Sequence, residues 1–195
     1  MRKREWVQAV RGSIMALALL LTACGSQGAI SGWMEVSSGT NLELLGATSD
    51  GNRFVAVGGG SGTSVILVSA NGTSWTKVGF DAQVQLTDVA YGQGTFVAVG
   101  FDNTVLASPD GTTWQRVYGS GLGYFNGVAF GGGRFVAANA FGFLLVSQDA
   151  SAQAWQVVNL DVGTATDLAG VAHGNGRWVV VGQLGQIWVS EDALT

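Results

Sequence analysis

Apolar residues come in short runs, each closed by glycine, asparagine, aspartate or serine. Phe54-Val55-Ala56-Val57-Gly58 is followed by Val65-Ile66-Leu67-Val68. The pair returns as Phe96-Val97-Ala98-Val99-Gly100 with Thr104 to Ser108, and as Phe135-Val136-Ala137-Ala138 with Phe143-Leu144-Leu145-Val146. It returns once more as Trp178-Val179-Val180-Val181-Gly182 with Ile187-Trp188-Val189-Ser190. Runs that are apolar at nearly every position predict strands covered on both faces. Flanking segments such as Leu86 to Tyr91 and Trp114 to Val117 carry more polar residues and predict the inner and outer strands of the same sheet. A helix is excluded, because β-branched residues and glycines recur every few positions and no window keeps a 3.6-residue stripe.

Between strands three and four one phrase repeats. It reads Ser108-Pro109-Asp110-Gly111-Thr112-Thr113-Trp114 in the second unit and Ser69-Ala70-Asn71-Gly72-Thr73-Ser74-Trp75 in the first. A degenerate copy runs from Ser147 through Asp149 to Trp155, a fourth begins at Ser190-Glu191-Asp192, and Trp33-Met34-Glu35-Val36 matches only the end of the phrase. The tryptophans therefore return about every 40 residues, the period of a propeller or an array of small sheets. Asp-Gly or Asn-Gly between apolar segments is a hairpin signal, and the serine and aspartate can accept hydrogen bonds from the turn's own amides. The tryptophan is expected to pack between neighbouring sheets, where an indole buries about 150–250 Å².

These phrases resemble the Asp-box repeats of BNR-type β-propellers, the superfamily that includes sialidases, photosystem II assembly factor propellers and many secreted bacterial repeat proteins. The family box is Ser-x-Asp-x-Gly-x-Thr-Trp. Here the aspartate and glycine are adjacent, Asn71 replaces the first aspartate, and Ala150-Ser151 stands where the third box needs its glycine. The resemblance implies an all-β propeller of four-stranded blades, with units at about 45–78, 87–117, 126–158 and 168–195 and residues 33–36 as an orphan outer strand. Two closures stay open. Residues 33–36 could complete the last unit and make four blades, or the chain could be part of a six- to eight-bladed propeller. The interruption within the last box favours the second. Such boxes sit on blade hairpins away from the family's active sites, so they speak for fold and not for activity.

Ahead of the repeats, Arg2, Lys3, Arg4 and Arg11 precede a short apolar stretch from Ile14 to Leu21, the pattern of an export signal over residues 1–23. It is too short to span a bilayer. Leu21-Thr22-Ala23-Cys24 resembles the lipobox of bacterial lipoproteins, which implies a lipid on Cys24, a tether over 24–32 and a place in the cell envelope. If the cell is Gram-negative, Gly25 after the cysteine points to the outer membrane. Cys24 is the sole cysteine, so the chain has no internal disulfide to make.

Removal of residues 1–23 leaves five basic against twelve acidic residues, a charge of −7. That composition carries no basic patch for nucleic acid. A sialidase-like activity would need an arginine cluster, a tyrosine paired with glutamate and an aspartate acid. Arg53, Arg134 and Arg177 instead occupy the same repeat position, which points to a structural role at a solvated turn, and no glutamate adjoins a tyrosine. His173 stands where other units have Tyr91 and Phe130, and so reads as a packing residue. The glycine runs 58–60 and 131–133 are followed by neither a helix nor a lysine, so they are not phosphate loops. No metal or other cofactor is expected. The least repeat-like connections are 59–64, 79–85, 119–124 and 160–166, and Tyr118 and Tyr124 are the candidate contacts for a protein or glycan. The sequence thus leads to a lipid-anchored extracytoplasmic binding or assembly scaffold, with a truncated sialidase-type glycoside hydrolase as the alternative.

Overall fold

The computed structural model describes residues 32–119, 121–160 and 167–195. The export signal, the lipobox (Leu21, Thr22, Ala23, Cys24), all but the last residue of the tether and most of the 160–166 connection lie outside the described residues. The chain divides into two units, Met1–Val36 and Ser37–Thr195. Of the first, residues 32–36 are described. They form no strand, and the side chains of Trp33 and Met34 are exposed. The orphan outer strand expected at 33–36 is therefore not formed, because these residues make no ladder pairing that would define one.

The second unit is four antiparallel sheets in chain order. Blade 1 is β1 (Glu43–Ser49), β2 (Phe54–Gly60), β3 (Thr63–Ser69) and β4 (Thr76–Lys77). Blade 2 is β5 (Leu86–Gly92), β6 (Thr95–Gly100), β7 (Val105–Ser108) and β8 (Gln115–Tyr118). Blade 3 is β9 (Phe125–Gly131), β10 (Arg134–Asn139), β11 (Phe143–Ser147) and β12 (Gln156–Asn159). Blade 4 has three strands among the described residues: β13 (Leu168–Gly174), β14 (Arg177–Gly182) and β15 (Ile187–Ser190). Within a blade each strand pairs with the next in sequence, so only short turns are needed there. The first strands of successive blades lie side by side, β1 by β5, β5 by β9 and β9 by β13; no comparable packing joins β13 back to β1.

Alternation along each strand sends one residue set to the preceding blade and the other to the following one. Val55, Val57, Ile66 and Val68 of blade 1 meet Phe96, Ala98, Leu106 and Trp114 of blade 2. Val97, Val99, Val105 and Ala107 on the other face of blade 2 meet Phe135, Ala137, Leu145 and Trp155 of blade 3. Val136, Ala138, Leu144 and Val146 meet Trp178, Val180 and Trp188 of blade 4. Burial on both faces explains why the middle strands read as unbroken apolar runs.

The inner strands share one irregularity. A register shift interrupts β1 between Leu44 and Gly46, β5 between Leu86 and Asp88 and β13 between Leu168 and Gly170, and β9 pairs with the same break opposite Ala138 and Asn139. Each break leaves one bulged residue, and a bulge re-aims its side chain. In blade 2 that residue is Thr87, whose hydroxyl donates to the Phe125 carbonyl of blade 3 at 2.5 Å; in blade 3 it is Asn126, whose amide donates to the Leu168 carbonyl of blade 4 at 2.7 Å. Beside them the Asp88 carboxylate accepts the Val128 N–H at 2.9 Å, and burial raises its pKa despite that bond. His173 lies 4.8 Å from the Trp178 ring, repeating Tyr91 on Phe96 and Phe130 on Phe135, so it does take an aromatic's packing place.

Candidate binding face

Because the strands alternate in direction, one end of every blade carries the first hairpin turn and the Asp-box, and the opposite end carries the second hairpin turn and the link from the preceding blade. These are called the box end and the link end.

At the box end, Ser108 Oγ accepts the N–H of Gly111 at 2.8 Å and Asp110 Oδ1 accepts those of Thr112 and Thr113 at 2.8 and 2.7 Å. Trp114 Nε1 then donates to the Gly111 carbonyl at 2.8 Å, which fixes the indole between blades 1 and 2. Thr113 and Thr112 N–H donors hold the Asp110 carboxyl far below the usual value of 3.8, and Leu194 and Thr195 hold Asp192 at about 2. Asn71 makes the same two bonds at 2.9 Å without a charge, Ser69 Oγ takes the Gly72 N–H and Trp75 Nε1 reaches the Gly72 carbonyl. In the fourth box Ser190 Oγ takes the N–H of Ala193 at 2.8 Å. The third box is the weakest. Among the described residues Ser147 and Asp149 take one turn N–H each, Ala150 adopts a positive φ of 57° like Gly72 and Gly111 in the first two boxes and Ala193 in the fourth, and the buried Trp155 Nε1 has no partner. Trp155 Nε1 apart, these side-chain groups are used by their own turns, and among the described residues no three His, Cys, Asp or Glu side chains converge as a metal site would need.

At the box end Arg53 and Arg134 are half-buried, Arg53 also pairing with Asp50 at 3.1 Å, whereas Arg177 is exposed. Arg53 Nη1 donates to the Asp110 carbonyl at 2.5 Å and Arg134 Nη1 to the Asp192 carbonyl at 2.6 Å, so each arginine grips the box of the following blade. The solvated-turn reading is refined for Arg53 and Arg134, whose charge-assisted bonds reach a carbonyl in the next sheet, and agrees with the exposure of Arg177. Arg116 is also committed, to Thr104 Oγ1 at 2.6 Å and the Ala82 carbonyl at 2.7 Å. An arginine triad for a substrate carboxylate is therefore not assembled among the described residues.

The link end is different in kind. Connections 59–64 and 79–85 and the described residues of 119–124, singled out in sequence as least repeat-like, emerge here. Phe101 and Tyr124 stack with centroids 5.0 Å apart, and Tyr124 Oη donates to Asp167 Oδ2 at 3.3 Å. Burial and that carboxylate raise the Tyr124 pKa. Asn126 and Gln183 also donate to Asp167, joining blades 3 and 4. On the other side of Tyr124, Asn139 Nδ2 donates to Asn103 Oδ1 at 2.9 Å, Asn103 Nδ2 donates to the Leu122 carbonyl at 3.1 Å, and the Phe141 N–H donates to Asn139 Oδ1 at 2.8 Å. Gly123 lies so close to Phe141 that a Cβ there would stand 2.9 Å from the ring. On this frame Phe101, Leu122, Phe141 and Leu184 stand exposed.

Of the two candidate tyrosines, Tyr124 belongs to this ledge, whereas Tyr118 pairs with Val105 and packs on the core between blades 2 and 3. The residues that build the frame, Asn103, Asn126, Asn139 and Asp167, were not singled out in sequence. A faint signal existed in Asn103 and Asn139, which close strand two or its turn where valines and glycines end the other runs.

No family model matches the sequence, and no curated protein matches it. Solved structures do. The computationally designed Ika4 protein is similar over 82% of this chain and 98% of its own, at 19% identity and TM-score 0.62. YCF48 from Cyanidioschyzon merolae is similar over 82% of this chain and 57% of its own, at 16% identity and TM-score 0.59. The WD40 β-propeller domain of Doa1 is similar over 78% and 52%, at 13% identity and TM-score 0.57. At these identities the likeness shows the fold: a β-propeller array of about four blades, which spans about half of YCF48 and of the Doa1 domain.

Proposed function

We propose that the chain is a lipid-anchored, extracytoplasmic scaffold that holds a partner polypeptide on its link end. The observation that carries this reading is the ledge itself: four large apolar side chains exposed together on a hydrogen-bonded frame contributed by three blades. Exposed apolar groups that cluster mark interaction sites, and a frame that is already ordered lowers the entropic cost of binding. A YCF48 structure, similar at 17% identity, has a D1 peptide bound; that is a property of YCF48, and it supports the idea that a propeller of this type takes a peptide. The lipobox resemblance at Leu21 to Cys24 and the export pattern before it support the anchor and a position outside the cytoplasm.

The test is in-cell photocrosslinking. A photoreactive amino acid placed at Leu122 or Phe141 yields a discrete adduct with one partner, and the same residue placed at Thr112 on the box end yields none. Equal adducts from all three positions, or none from any, overturn the reading. Metabolic labelling with an alkynyl fatty acid checks the anchor: label is incorporated by the native chain and lost in Cys24→Ser.

A further inference from the structure

The ledge runs on into a pocket. Between the second hairpin turn of blade 1 (Ser61, Gly62) and that of blade 2 (Phe101, Asp102) the link end opens a cavity of about 270 Å³, floored by the connection from Gln83 to Gln85. Phe101 also stacks on Tyr124, so pocket and ledge meet at one ring. The walls are fixed before anything binds. Asp81 Oδ1 accepts the N–H of Ser64 at 3.1 Å and that of Gln83 at 2.8 Å, and the buried Ser64 Oγ accepts the Ala82 N–H at 2.7 Å. The Phe101 N–H donates to the Gln85 carbonyl and its own carbonyl accepts the Thr104 N–H, both at 3.0 Å. Within that turn Asp102 and Asn103 hold the left-handed φ of 54° and 52° that a tight hairpin requires. Sites for whole small molecules take about 300–1,000 Å³. This pocket is smaller and suits one side chain.

The charge around it selects which one. Asp102 is exposed and forms no ion pair among the described residues, and Glu43, exposed at the start of β1, accepts Gln85 Nε2 at 3.2 Å and adds a second carboxylate beside the pocket. No basic side chain among the described residues offsets them. Arg53, Arg134 and Arg177 stand at the box end, Arg116 is spent on Thr104 and the Ala82 carbonyl, and the charge of Lys77 acts on Asp81. We propose that this pocket receives one lysine or arginine side chain of the polypeptide held on the ledge, whose recognition segment therefore places a basic residue beside apolar ones. The stem lies along Phe101 and Val84 and the charge meets Asp102, because long basic side chains bury their methylenes on apolar surface and an aromatic ring attracts a cation. The proposal rests on the ledge as the binding face and adds what that face selects.

The experiment immobilises the full chain carrying Cys24→Ser and selects on it from random short peptides displayed on phage. The same selection is run on that chain with Asp102→Asn and on that chain with Leu122→Ser and Phe141→Ser together. All three altered side chains are exposed, and Asn103 shows that asparagine is accepted in the left-handed turn, so the circular dichroism spectra are expected to match. Without further change the chain is expected to enrich sequences with lysine or arginine next to leucine, phenylalanine or tryptophan. Asp102→Asn is expected to keep the apolar preference and lose the basic one. It is also expected to weaken binding of a fluorescein-labelled basic peptide from the first selection about tenfold, the size of one charge-assisted hydrogen bond. The Leu122→Ser, Phe141→Ser chain is expected to enrich nothing. Apolar peptides without a basic preference, lost with the ledge substitutions, overturn the pocket and leave the ledge standing. A basic preference undiminished by Asp102→Asn does the same. Enrichment indifferent to the ledge substitutions, or none on any chain, overturns the ledge and the pocket with it.

Discussion

Asp110 and Asn71 perform one task with different charge. Each offers one side-chain oxygen to two consecutive backbone amides, and only Asp110 is titratable. Its carboxyl is held far below 3.8 by the Thr113 and Thr112 amides, so its contribution to stability is complete above that ordinary value and is lost as pH falls through the lowered one. Asp192, held at about 2, adds to the same acid limb. Asp110→Asn is therefore expected to fold, as Asn71 does in the first box, and to have a flatter dependence of Tm on pH between about 4 and 2 than the native chain. Calorimetry across that range checks it; parallel curves would show that Asp110 does not carry the acid sensitivity.

Between blades the decisive contacts are side chain to backbone. Arg134→Ala removes the charged donor on the Asp192 carbonyl and is expected to cost about 1.5–3 kcal/mol. Hydrogen exchange should quicken in β13, β14 and β15 more than elsewhere, while Thr95→Ala, at a position without such a bond, should change little. This joint also marks the limit of what the sequence disclosed. The equivalence of Arg53, Arg134 and Arg177 was visible from their common place before an aromatic. Their partners were not, since a backbone carbonyl in the next blade has no side-chain signature. The strands were legible because burial on both faces writes itself as an apolar run, and the boxes because their turn chemistry demands particular residues. The link-end ledge was legible only as loops that fail to repeat, and Asn103, Asn139 and Asp167 gain meaning only when three blades bring them together.

Across the molecule, apolar side chains serve two purposes that one measurement separates. Leu106 is fully buried between blades 1 and 2, and Leu106→Ala is expected to cost about 2–5 kcal/mol. Leu122 stands in solvent on the ledge, and Leu122→Ala is expected to stay within about 0.5 kcal/mol of the native chain. Urea unfolding of both variants tells a core position from a surface kept apolar for contact; comparable losses would place Leu122 in the packing and remove it from the binding face.

The arginine-to-box joint has a consequence for how such a chain can change over generations. Two of the three junctions carry this joint, from blade 1 to blade 2 and from blade 3 to blade 4, and the positions of its two halves recur with a period of about 40 residues. Tandem duplication or deletion of one whole period therefore rebuilds complete joints at the new boundaries, whereas a change by half a period strands an arginine or a carbonyl. Blade number is free to change in whole steps, and the junction of the second and third blades, where Thr95 stands before a box without glycine, holds without this joint.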